Sequence, residues 1–229
     1  MTLDIVIPTL NAAATIAQTL SAVSTARGVW RCRIVVCDGG SADDTAEIAH
    51  ARGAQVITAP PGRGGQLAAA AAAAAGKSDW LLFLHADTVL SPDWVAATGQ
   101  FMDRAASSEA AGYFRLRFDS DSPRARTVER WAAWRCRTLG LPYGDQGLLI
   151  KRTFYDRVGG YRDLRLMEDV DLVRRIGRQR LVALDAEAKT SAARYERDGW
   201  TLRPLRNLFC LSLFSLGVPP HLIARIYGK

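Results

Sequence analysis

The chain has 229 residues, of which 48% are hydrophobic and 23% are charged, and its formal net charge is +7. This length and composition are ordinary for a soluble globular domain, and the longest apolar stretch, 208–218, is shorter than the ~20 residues of a transmembrane helix. We therefore expect a protein that does not span a membrane. Its positive charge favours phosphate-bearing small molecules, nucleic acid or an anionic membrane surface.

The cysteine pattern and the amino-terminal segment indicate a cytoplasmic protein. The four cysteines include no C-x-x-C pair. Cys32 and Cys37 are separated by an odd number of positions on one predicted strand, so their side chains point to opposite faces. We expect reduced thiols, as in the cytosol. A strand pattern begins at Leu3, which leaves no room for a signal peptide.

The first ninety residues alternate strand and helix patterns, which predicts a parallel sheet covered by helices on both faces. Four apolar runs are the predicted strands: LDIVIP, RIVVCDGG, AQVITA and WLLFLHAD. Ser41 is predicted to cap the helix after the second strand, with Asp43 and Asp44 in its first turn. The alanine run 68–75 predicts a helix that ends at Gly76.

The second half of the chain is less regular. The segment YFRLRF alternates apolar and basic residues, which favours a strand with one solvent-facing side. Residues 122–140 hold five arginines and one glutamate together with Trp131 and Trp134. Because no repeat or Pro/Ser-rich linker divides the chain, we interpret residues 1–199 as one domain and 200–229 as a C-terminal helical extension.

Polar residues follow three of the predicted strands at their carboxyl ends: PTLN from Pro8, DGGS from Asp38 and HAD from His85. Ligands of open parallel sheets bind at that edge, so the convergence is a functional signal. Each residue alone also fits an ordinary role. Asp38 can hold a tight turn, and His85 can be a buried histidine that is bonded to the backbone.

The order of these motifs resembles that of family 2 glycosyltransferases with the GT-A fold. The resemblance runs from residue 3 to about residue 172 and rests on five segments: IVIPTLNAAATIAQTL, IVVCDGGSADDTAEIA, GRGGQLAAAAAAAAG, FLHADT and LMEDVDL. LHADT and YGDQG together resemble a small bacterial subgroup of that family. The resemblance implies a three-layer α/β fold with a mixed central sheet. It also implies transfer of a sugar from a nucleotide-diphosphate donor to a hydroxyl acceptor.

The resemblance further implies which residues bind the donor. These would be Pro8, Thr9, Asn11, Asp38, Arg63, His85, Ala86 and Asp87. Asp38 would contact the nucleobase, and Arg63 would reach the nucleoside or the diphosphate. Asp87 would bind a divalent cation, Mg²⁺ or Mn²⁺, because a departing diphosphate gains negative charge that a cation can neutralise.

The cation-binding segment departs from the family's pattern of acid, any residue, acid, acid. Here it is His85-Ala86-Asp87-Thr88, so only the central acid is present. One carboxylate with diphosphate oxygens and water is sufficient for Mg²⁺, whereas an imidazole ligand would suit Mn²⁺ or a later transition metal. His85 is therefore either a second metal ligand or a hydrogen-bond donor to the ribose or a phosphate.

Glu168 and Asp169 open a predicted helix. Acids at its start and arginines such as Arg174 and Arg175 towards its end also fit a surface helix that is matched to the helix dipole. By the resemblance, Asp169 is the general base that deprotonates the acceptor hydroxyl, and Glu168 orients the acceptor or holds the loop. Direct displacement of this kind would invert the anomeric configuration.

Two further segments complete the expected site. Asp145 and Gln146 lie between glycines in YGDQG and are expected to face the acceptor, although a plain tight turn explains them nearly as well. Arg194, Arg197 and Trp200 would form a basic, aromatic lid over the diphosphate by the same resemblance.

Two rival interpretations remain open. A nucleic-acid-binding protein fits the charge and the Arg/Trp segment, but it leaves the strand-end carboxylates unexplained, so no nucleic-acid partner is expected. A nucleotide-binding protein without turnover fits the altered cation motif. The acceptor is either a small molecule or lipid-linked. For a lipid-linked acceptor, residues 124–137 and the tail would rest on an anionic membrane rather than pack on the sheet or on a second copy.

Overall fold

The computed structural model describes residues 1–73 and 78–227, which form one mixed eight-stranded sheet between two helical layers. The strands are β1 (Thr2–Thr9), β2 (Arg31–Asp38), β3 (Gln55–Thr58), β4 (Trp80–Phe83), β5 (Thr88–Leu90), β6 (Ala111–Phe118), β7 (Leu148–Lys151) and β8 (Leu181–Thr190). Their order across the sheet is β3-β2-β1-β4-β7-β6-β8-β5. The predicted three-layer α/β fold with a mixed central sheet is confirmed.

The helices alternate with strands in the first half of the chain and cluster at its end. They are α1 (Ala13–Ser24), α2 (Thr45–Ala51), α3 (Arg63–Ala73), α4 (Trp94–Met102), α5 (Pro123–Leu139), α6 (Arg152–Arg157), α7 (Glu168–Ile176), α8 (Ala193–Asp198), α9 (Leu202–Ser215) and α10 (Pro220–Tyr227). The end predicted for α3 at Gly76 lies outside the described residues. Among the described residues, no helix is both long enough and apolar enough to cross a bilayer.

Parallel pairing brings the polar strand ends together. β1 pairs in parallel with β2 and with β4, and β2 with β3, whereas β7 is antiparallel to β4. Thr9 and Asp38 are register partners at the last positions of β1 and β2. The backbone continues the β1–β4 pairing for one residue, because the Leu84 N–H donates to the Val6 carbonyl at 3.0 Å. The chain after β4 therefore begins next to the last residues of β1.

The core lies on both faces of the sheet because side chains alternate along each strand. Ile5 and Ile7 of β1 pack with α1 and α4 on one face, and Val6 between them packs with α3 and α7 on the other. Cys32 and Cys37 fall on opposite faces, as their spacing predicts, and the four cysteines are free thiols.

Two predicted boundaries differ from the structure. The fourth strand ends at Phe83 rather than continuing through the HAD segment, so that segment forms a turn. Helix α2 begins at Thr45, after Asp44, and not near Ser41. The reason is local: the Ser41 hydroxyl and N–H both bond to the Asp38 carboxylate, which holds residues 38–41 as a turn before the helix.

The C-terminal helices pack on the domain. Cys210 and Leu211 of α9 and Ile223 and Ala224 of α10 are buried in the same core cluster as Leu67 of α3. The proposed division of the chain at residue 200 remains a prediction.

Candidate active site

A cleft opens at the carboxyl ends of the central strands. It brings together seven residues that the sequence predicts for the site, from segments far apart in the chain: Arg63, His85, Asp87, Asp145, Glu168, Asp169 and Arg194. These side chains come from α3, the turn after β4, the turn before β7, the start of α7 and α8. The cleft lining therefore contains both carboxylates and guanidinium groups.

Helix α7 presents its first two residues to the cleft. The preceding residue, Met167, has a left-handed backbone with φ 66°, a conformation that costs energy in a non-glycine residue and is enriched at functional sites. Asp169 accepts hydrogen bonds on both carboxylate oxygens, from the Gly144 N–H at 2.8 Å and from the Val170 N–H at 2.7 Å. These two bonds fix the orientation of the Asp169 carboxylate.

Arg63 begins α3 and crosses towards α7. Its Nη1 lies 3.4 Å from Glu168 Oε1, and Glu168 is 3% exposed. Burial acts to lower the pKa of Arg63, but the nearby charges of Glu168, Asp169 and Asp87 outweigh it and raise the pKa. Arg63 is therefore held as a cation in the cleft, where a phosphate group would find a positive partner.

The turn after β4 carries His85 and Asp87. The carbonyl of Ala86 between them is fixed by the Thr19 hydroxyl, which donates a hydrogen bond of 2.9 Å, so the turn is tied to α1. Gly144 lies against His85: a Cβ at Gly144 would be 2.5 Å from His85 Nε2. Only glycine allows this approach, which brings the turn before β7 against the turn after β4.

Asp145 is the most unusual carboxylate of the cleft. Among the described residues, its Oδ1 is buried and has no hydrogen-bond partner. Burial raises the pKa of Asp145 to about 6; the charge of Arg135 opposes this shift, and those of Asp169 and Asp87 add to it. A buried carboxylate oxygen without a partner is costly, so a proton, a cation or a hydroxyl donor is the expected counterpart.

Asp38 lies outside the cleft lining and is fully engaged within the protein. Its carboxylate accepts from the Thr9 hydroxyl at 2.9 Å, from the Ser41 hydroxyl and N–H at 2.5 and 2.7 Å, and from the Gly40 N–H at 3.0 Å. Burial alone would raise the pKa of Asp38, but these bonds outweigh it and lower the pKa. This geometry matches the turn-holding role, and the nucleobase role remains a prediction.

Other predicted donor residues support this turn. Asn11, with φ 51°, accepts from the Ala42 N–H at 2.9 Å on its side-chain oxygen, and its own N–H donates to the Ser41 hydroxyl at 2.8 Å. Pro8 lies in β1, paired with Cys37. None of these residues lines the cleft described above.

Gln66 connects the two regions, and the sequence motifs do not single it out. Its side-chain nitrogen donates to the Thr9 carbonyl and to the Cys37 carbonyl, both at 2.7 Å. Because Gln66 lies one turn after Arg63 on α3, a single helix start holds the ends of β1 and β2 and carries the cleft arginine.

Three further predicted site residues lie away from the cleft. Gln146 is 1% exposed, and its amide bonds to the Phe114 carbonyl, so its side chain points into the core rather than to an acceptor. Arg197 points outward and pairs with Asp198 at 2.8 Å. Trp200 lies behind the cleft wall, stacked on Tyr195 with ring centroids 5.2 Å apart. Of the predicted lid, only Arg194 lines the cleft.

The cleft also contains residues that are not among the predicted site residues. They are Tyr143, Tyr195, Arg203, Asn207 and Tyr227 among others. Arg203 and Asn207 are four residues apart on α9, which places both on one face of that helix. The i, i+4 spacing of Arg203 and Asn207 is the one sequence feature that could have suggested an inward polar face on this helix.

The donor groups of the cleft suit a hard cation with few protein ligands. Within 1–73 and 78–227, no cluster of three or more His, Cys, Asp or Glu side chains is placed to hold a metal ion. Asp87 and Asp169 lie near enough to Asp145 for their charges to raise its pKa, so the three carboxyl groups make this part of the cleft negative. Mg²⁺ and Mn²⁺ accept one or two carboxylates when phosphate oxygens and water complete the shell.

The fold is shared with solved glycosyltransferases. Glucosyl-3-phosphoglycerate synthase from Mycobacterium tuberculosis, in complex with phosphoglyceric acid, matches with a TM-score of 0.56 and 21% identity over 83% of this chain and 70% of that chain. The same enzyme with Mn²⁺, uridine diphosphate and glucosyl-3-phosphoglycerate gives a TM-score of 0.55 at 21% identity, with coverages of 83% and 70%. S. aureus TarS, residues 1–349, gives 0.61 at 15% identity, with coverages of 84% and 61%.

At these identities the likeness shows the fold, which is the GT-A arrangement that the sequence motifs imply. No curated protein sequence matches the chain significantly. The sequence profile described as Glycosyl transferase family 2 matches residues 4–162, which is well over half of the chain. The chain belongs to glycosyl transferase family 2.

Proposed function

We propose that the protein transfers a sugar from a nucleotide-diphosphate sugar to a hydroxyl acceptor, with inversion at the anomeric carbon and with help from a divalent cation. The single observation that carries the proposal is the convergence of seven predicted residues, from position 63 to position 194, on one cleft at the strand ends. A structural role could explain each residue alone, but it does not explain why all seven side chains line the same cleft.

The donor would span two regions of the protein. Its nucleobase would bind at the turn that Asp38 holds next to Thr9, and its diphosphate would reach Arg63 and Arg194 in the cleft. Arg63 is suited to this because neighbouring carboxylates keep it charged. Glucosyl-3-phosphoglycerate synthase, which shares the fold, has been solved with uridine diphosphate and Mn²⁺. That precedent supports a donor and cation of this class here.

The cation would be held by Asp87, with His85 as a further ligand or as a hydrogen-bond donor to the donor substrate. When bound, it supplies positive charge to the departing diphosphate. Asp145 would face the acceptor or the transferred sugar, where its unpartnered Oδ1 would accept a hydrogen bond from a hydroxyl. The acceptor is a small molecule or a lipid-linked alcohol.

The chemical step follows from these placements. The acceptor oxygen attacks the anomeric carbon and forms the new C–O bond, while the bond from that carbon to the diphosphate oxygen breaks. The electron pair of the broken bond leaves with the diphosphate, and the acceptor proton passes to the Asp169 carboxylate. Because attack and departure occur on opposite faces, the configuration inverts. Glu168 would hold Arg63 beside the diphosphate.

The test is a thermal-shift and calorimetric screen of nucleoside diphosphates and their sugars, with and without Mn²⁺. We expect one nucleotide to stabilise the wild-type protein in a cation-dependent way and Asp87→Ala to lose that effect. Asp103→Ala, an exposed aspartate that follows α4, is the matched control and should behave as wild type. No stabilisation by any nucleotide sugar would contradict the proposal.

A second experiment separates transfer from binding alone. The changed cation motif at His85 favours, as the second candidate, a protein that binds the nucleotide without turnover. Slow hydrolysis of the stabilising donor that is lost in Asp169→Asn, with nucleotide binding retained, supports the transferase. Retained binding in both proteins, with no hydrolysis and no transfer to any alcohol tested, supports the second candidate.

A further inference from the structure

The exposed large apolar side chains of the described residues are concentrated on α5 and in the C-terminal helices. Apart from Met1, Leu10 and Val29, the exposed large apolar residues in the described part of the chain lie on α5 or between residues 202 and 226. We call the set Trp131, Trp134, Leu202, Leu205, Leu208, Phe209 and Leu216 the outer face; its members are between 47% and 81% exposed. Exposed large apolar side chains in this number mark an interaction surface.

The outer face of α9 lies opposite the side that lines the cleft. Arg203 and Asn207 point into the cleft, while Leu205 and Phe209 are exposed. At 100° per residue, Leu205 and Phe209 are more than a quarter-turn from both cleft residues. Helix α9 thus forms a wall with the cleft on one side and an apolar surface on the other.

Helix α5 adjoins this wall through α8. Val128 of α5 packs in the same cluster as Tyr195 and Trp200, and Asp198 of α8 bonds to Arg203 and to a second arginine of α9. Helix α5 also reaches the cleft lining, because the Arg135 guanidinium lies 3.4 Å from the ring centroid of Tyr143. Of the two helices that carry the outer face, α9 therefore lines the cleft and α5 contacts one of the lining residues.

The exposed charges of α5 and of residues 199–227 are arginines, whereas α8 between them carries the exposed Glu196 and the Asp198 that pairs with both arginines of α9. On α5 the one acidic residue, Glu129, is buried and bonded to Arg126 and Arg117, whereas Arg124, Arg130 and Arg137 are exposed. Residues 199–229 contain no aspartate or glutamate, and they include three arginines and one lysine. Helix α5 combines exposed tryptophans and a leucine with exposed arginines and has no exposed acid. This composition is typical of a helix that lies in the interface of an anionic bilayer.

We propose that the outer face docks the protein on an anionic membrane surface, so that α9 lies between the lipid headgroups and the cleft. A second copy of the chain fits less well, because an isologous contact would bring together the exposed arginines of two α5 helices, and α5 and α9 offer them no exposed acid. Nucleic acid would satisfy the arginines but leave the exposed leucines and Phe209 without a partner. The docking is independent of the chemistry in the cleft, so the two proposals can fail separately.

The test is flotation of the purified protein with vesicles of phosphatidylglycerol mixed with phosphatidylcholine, and with vesicles of phosphatidylcholine alone. We expect the wild-type protein to float with the anionic vesicles, and to do so more weakly as salt is raised. Two variants divide the surface into its apolar and charged parts: Leu205→Ser/Phe209→Ser and Arg130→Gln/Arg137→Gln. Each should reduce the partition coefficient by about tenfold or more.

Matched controls lie at the opposite edge of the sheet, near the start of β2. Val29→Ser removes an apolar side chain that is 61% exposed, and Arg31→Gln removes an exposed arginine. Both should float as wild type does. Circular dichroism and a cooperative thermal unfolding transition confirm that each variant is folded.

Three results would overturn the docking. The first is a wild-type protein that stays in solution with anionic vesicles, and the second is a surface variant that floats as the wild type does. The third is self-association, measured by analytical ultracentrifugation without lipid, that Leu205→Ser/Phe209→Ser abolishes, because the outer face would then be an interface between copies. If the protein stays in solution with anionic vesicles but binds single-stranded RNA in a salt-sensitive way, the docking is also overturned, and the exposed arginines are then a nucleic-acid contact.

Discussion

The Gly144 N–H donates a 2.8 Å hydrogen bond to Asp169 Oδ2, which ties the turn before β7 to the first turn of α7. The same turn carries Asp145 and lies against His85. One backbone bond therefore joins the candidate base, the candidate acceptor residue and the candidate cation segment. Asp169 is oriented before any substrate binds, which is the preorganisation that general-base catalysis requires.

Asp169→Asn should abolish transfer while leaving the donor bound. The amide has one acceptor oxygen for two backbone donors, Gly144 N–H and Val170 N–H, so one donor loses its partner and stability falls by about 1 kcal/mol. Loss of the proton acceptor should lower kcat by about 10²–10⁴-fold. Steady-state kinetics with nucleotide titration measures both effects.

Asp171→Asn is the control for this substitution. Asp171 lies in the same first turn of α7 and pairs with Arg162 and Arg175 outside the cleft lining. If Glu168 and Asp169 serve only the helix dipole, both variants should lose stability and neither should lose kcat. A selective loss of kcat in Asp169→Asn supports the base.

Asp145 should make the stability of the protein depend on pH in an unusual direction. Its pKa is raised to about 6 in the folded protein from 3.8, so the folded state binds the proton more tightly than the unfolded chain does. Stability should therefore be highest below the unfolded pKa and fall as pH rises through about 6. Asp145→Asn should remove that loss and stabilise the protein at neutral pH by about 1–3 kcal/mol.

Urea unfolding of both proteins at several pH values between about 4 and 8 measures this difference. Below about pH 4 the two curves should converge. A difference in unfolding free energy that stays constant at all pH values would mean that the Asp145 carboxyl is not the titrating group. The turnover of Asp145→Asn with an acceptor would then give no information on the charge of Asp145.

Asp38 should tolerate asparagine far better than alanine. In Asp38→Asn the amide nitrogen can face the Thr9 and Ser41 hydroxyls, which can accept hydrogen bonds, and the amide oxygen can keep the two backbone donors. Asp38→Ala leaves all four donors without an acceptor and should cost about 2–4 kcal/mol. Denaturant unfolding of the two variants tests this order, and equal losses would contradict the bonding described.

Gly144→Ala should disturb the site without preventing folding. Gly144 has an ordinary backbone conformation, but an added Cβ would lie 2.5 Å from His85 Nε2, so the imidazole must move. We expect weaker cation-dependent nucleotide binding and a stability loss of about 1–3 kcal/mol. Gly99→Ala in α4 is the control: its Cβ would meet Trp30 at 3.5 Å, and it should stabilise the helix by about 0.5–1 kcal/mol. Equal nucleotide binding in both variants would separate His85 from the donor site.

The strand-end residues could be predicted because apolar runs identify buried strands, and the polar residue that ends each run must lie at the sheet edge. Thr9, Asp38 and Asp87 follow from that rule alone. The seven cleft residues follow from motif order. The boundary of α2 was misplaced because Ser41 suits a turn and a helix cap equally well, and only its bond to Asp38 decides between them.

Directions of side chains in turns and tails could not be predicted. Gln146 lies between glycines that allow either direction, and its inward position depends on the Phe114 carbonyl, 32 residues away. Trp200 supports Tyr195 from behind, a relation that exists only once β6, α5 and α8 are packed. Arg203 reaches the cleft because α9 folds back over it, and nothing in the sequence of the tail encodes its distance from Asp87.

Gln66 gives the proposed donor site a fixed length. Its side-chain nitrogen bonds to the ends of β1 and β2, while Arg63, on the same helix, would lie at the proposed diphosphate end. The span between nucleobase and phosphate is thus set by rigid secondary structure rather than by a loop that adjusts to its ligand. Such a site selects its ligand by length. A nucleoside monophosphate would leave one end of the site empty, whereas a nucleoside diphosphate would reach both ends.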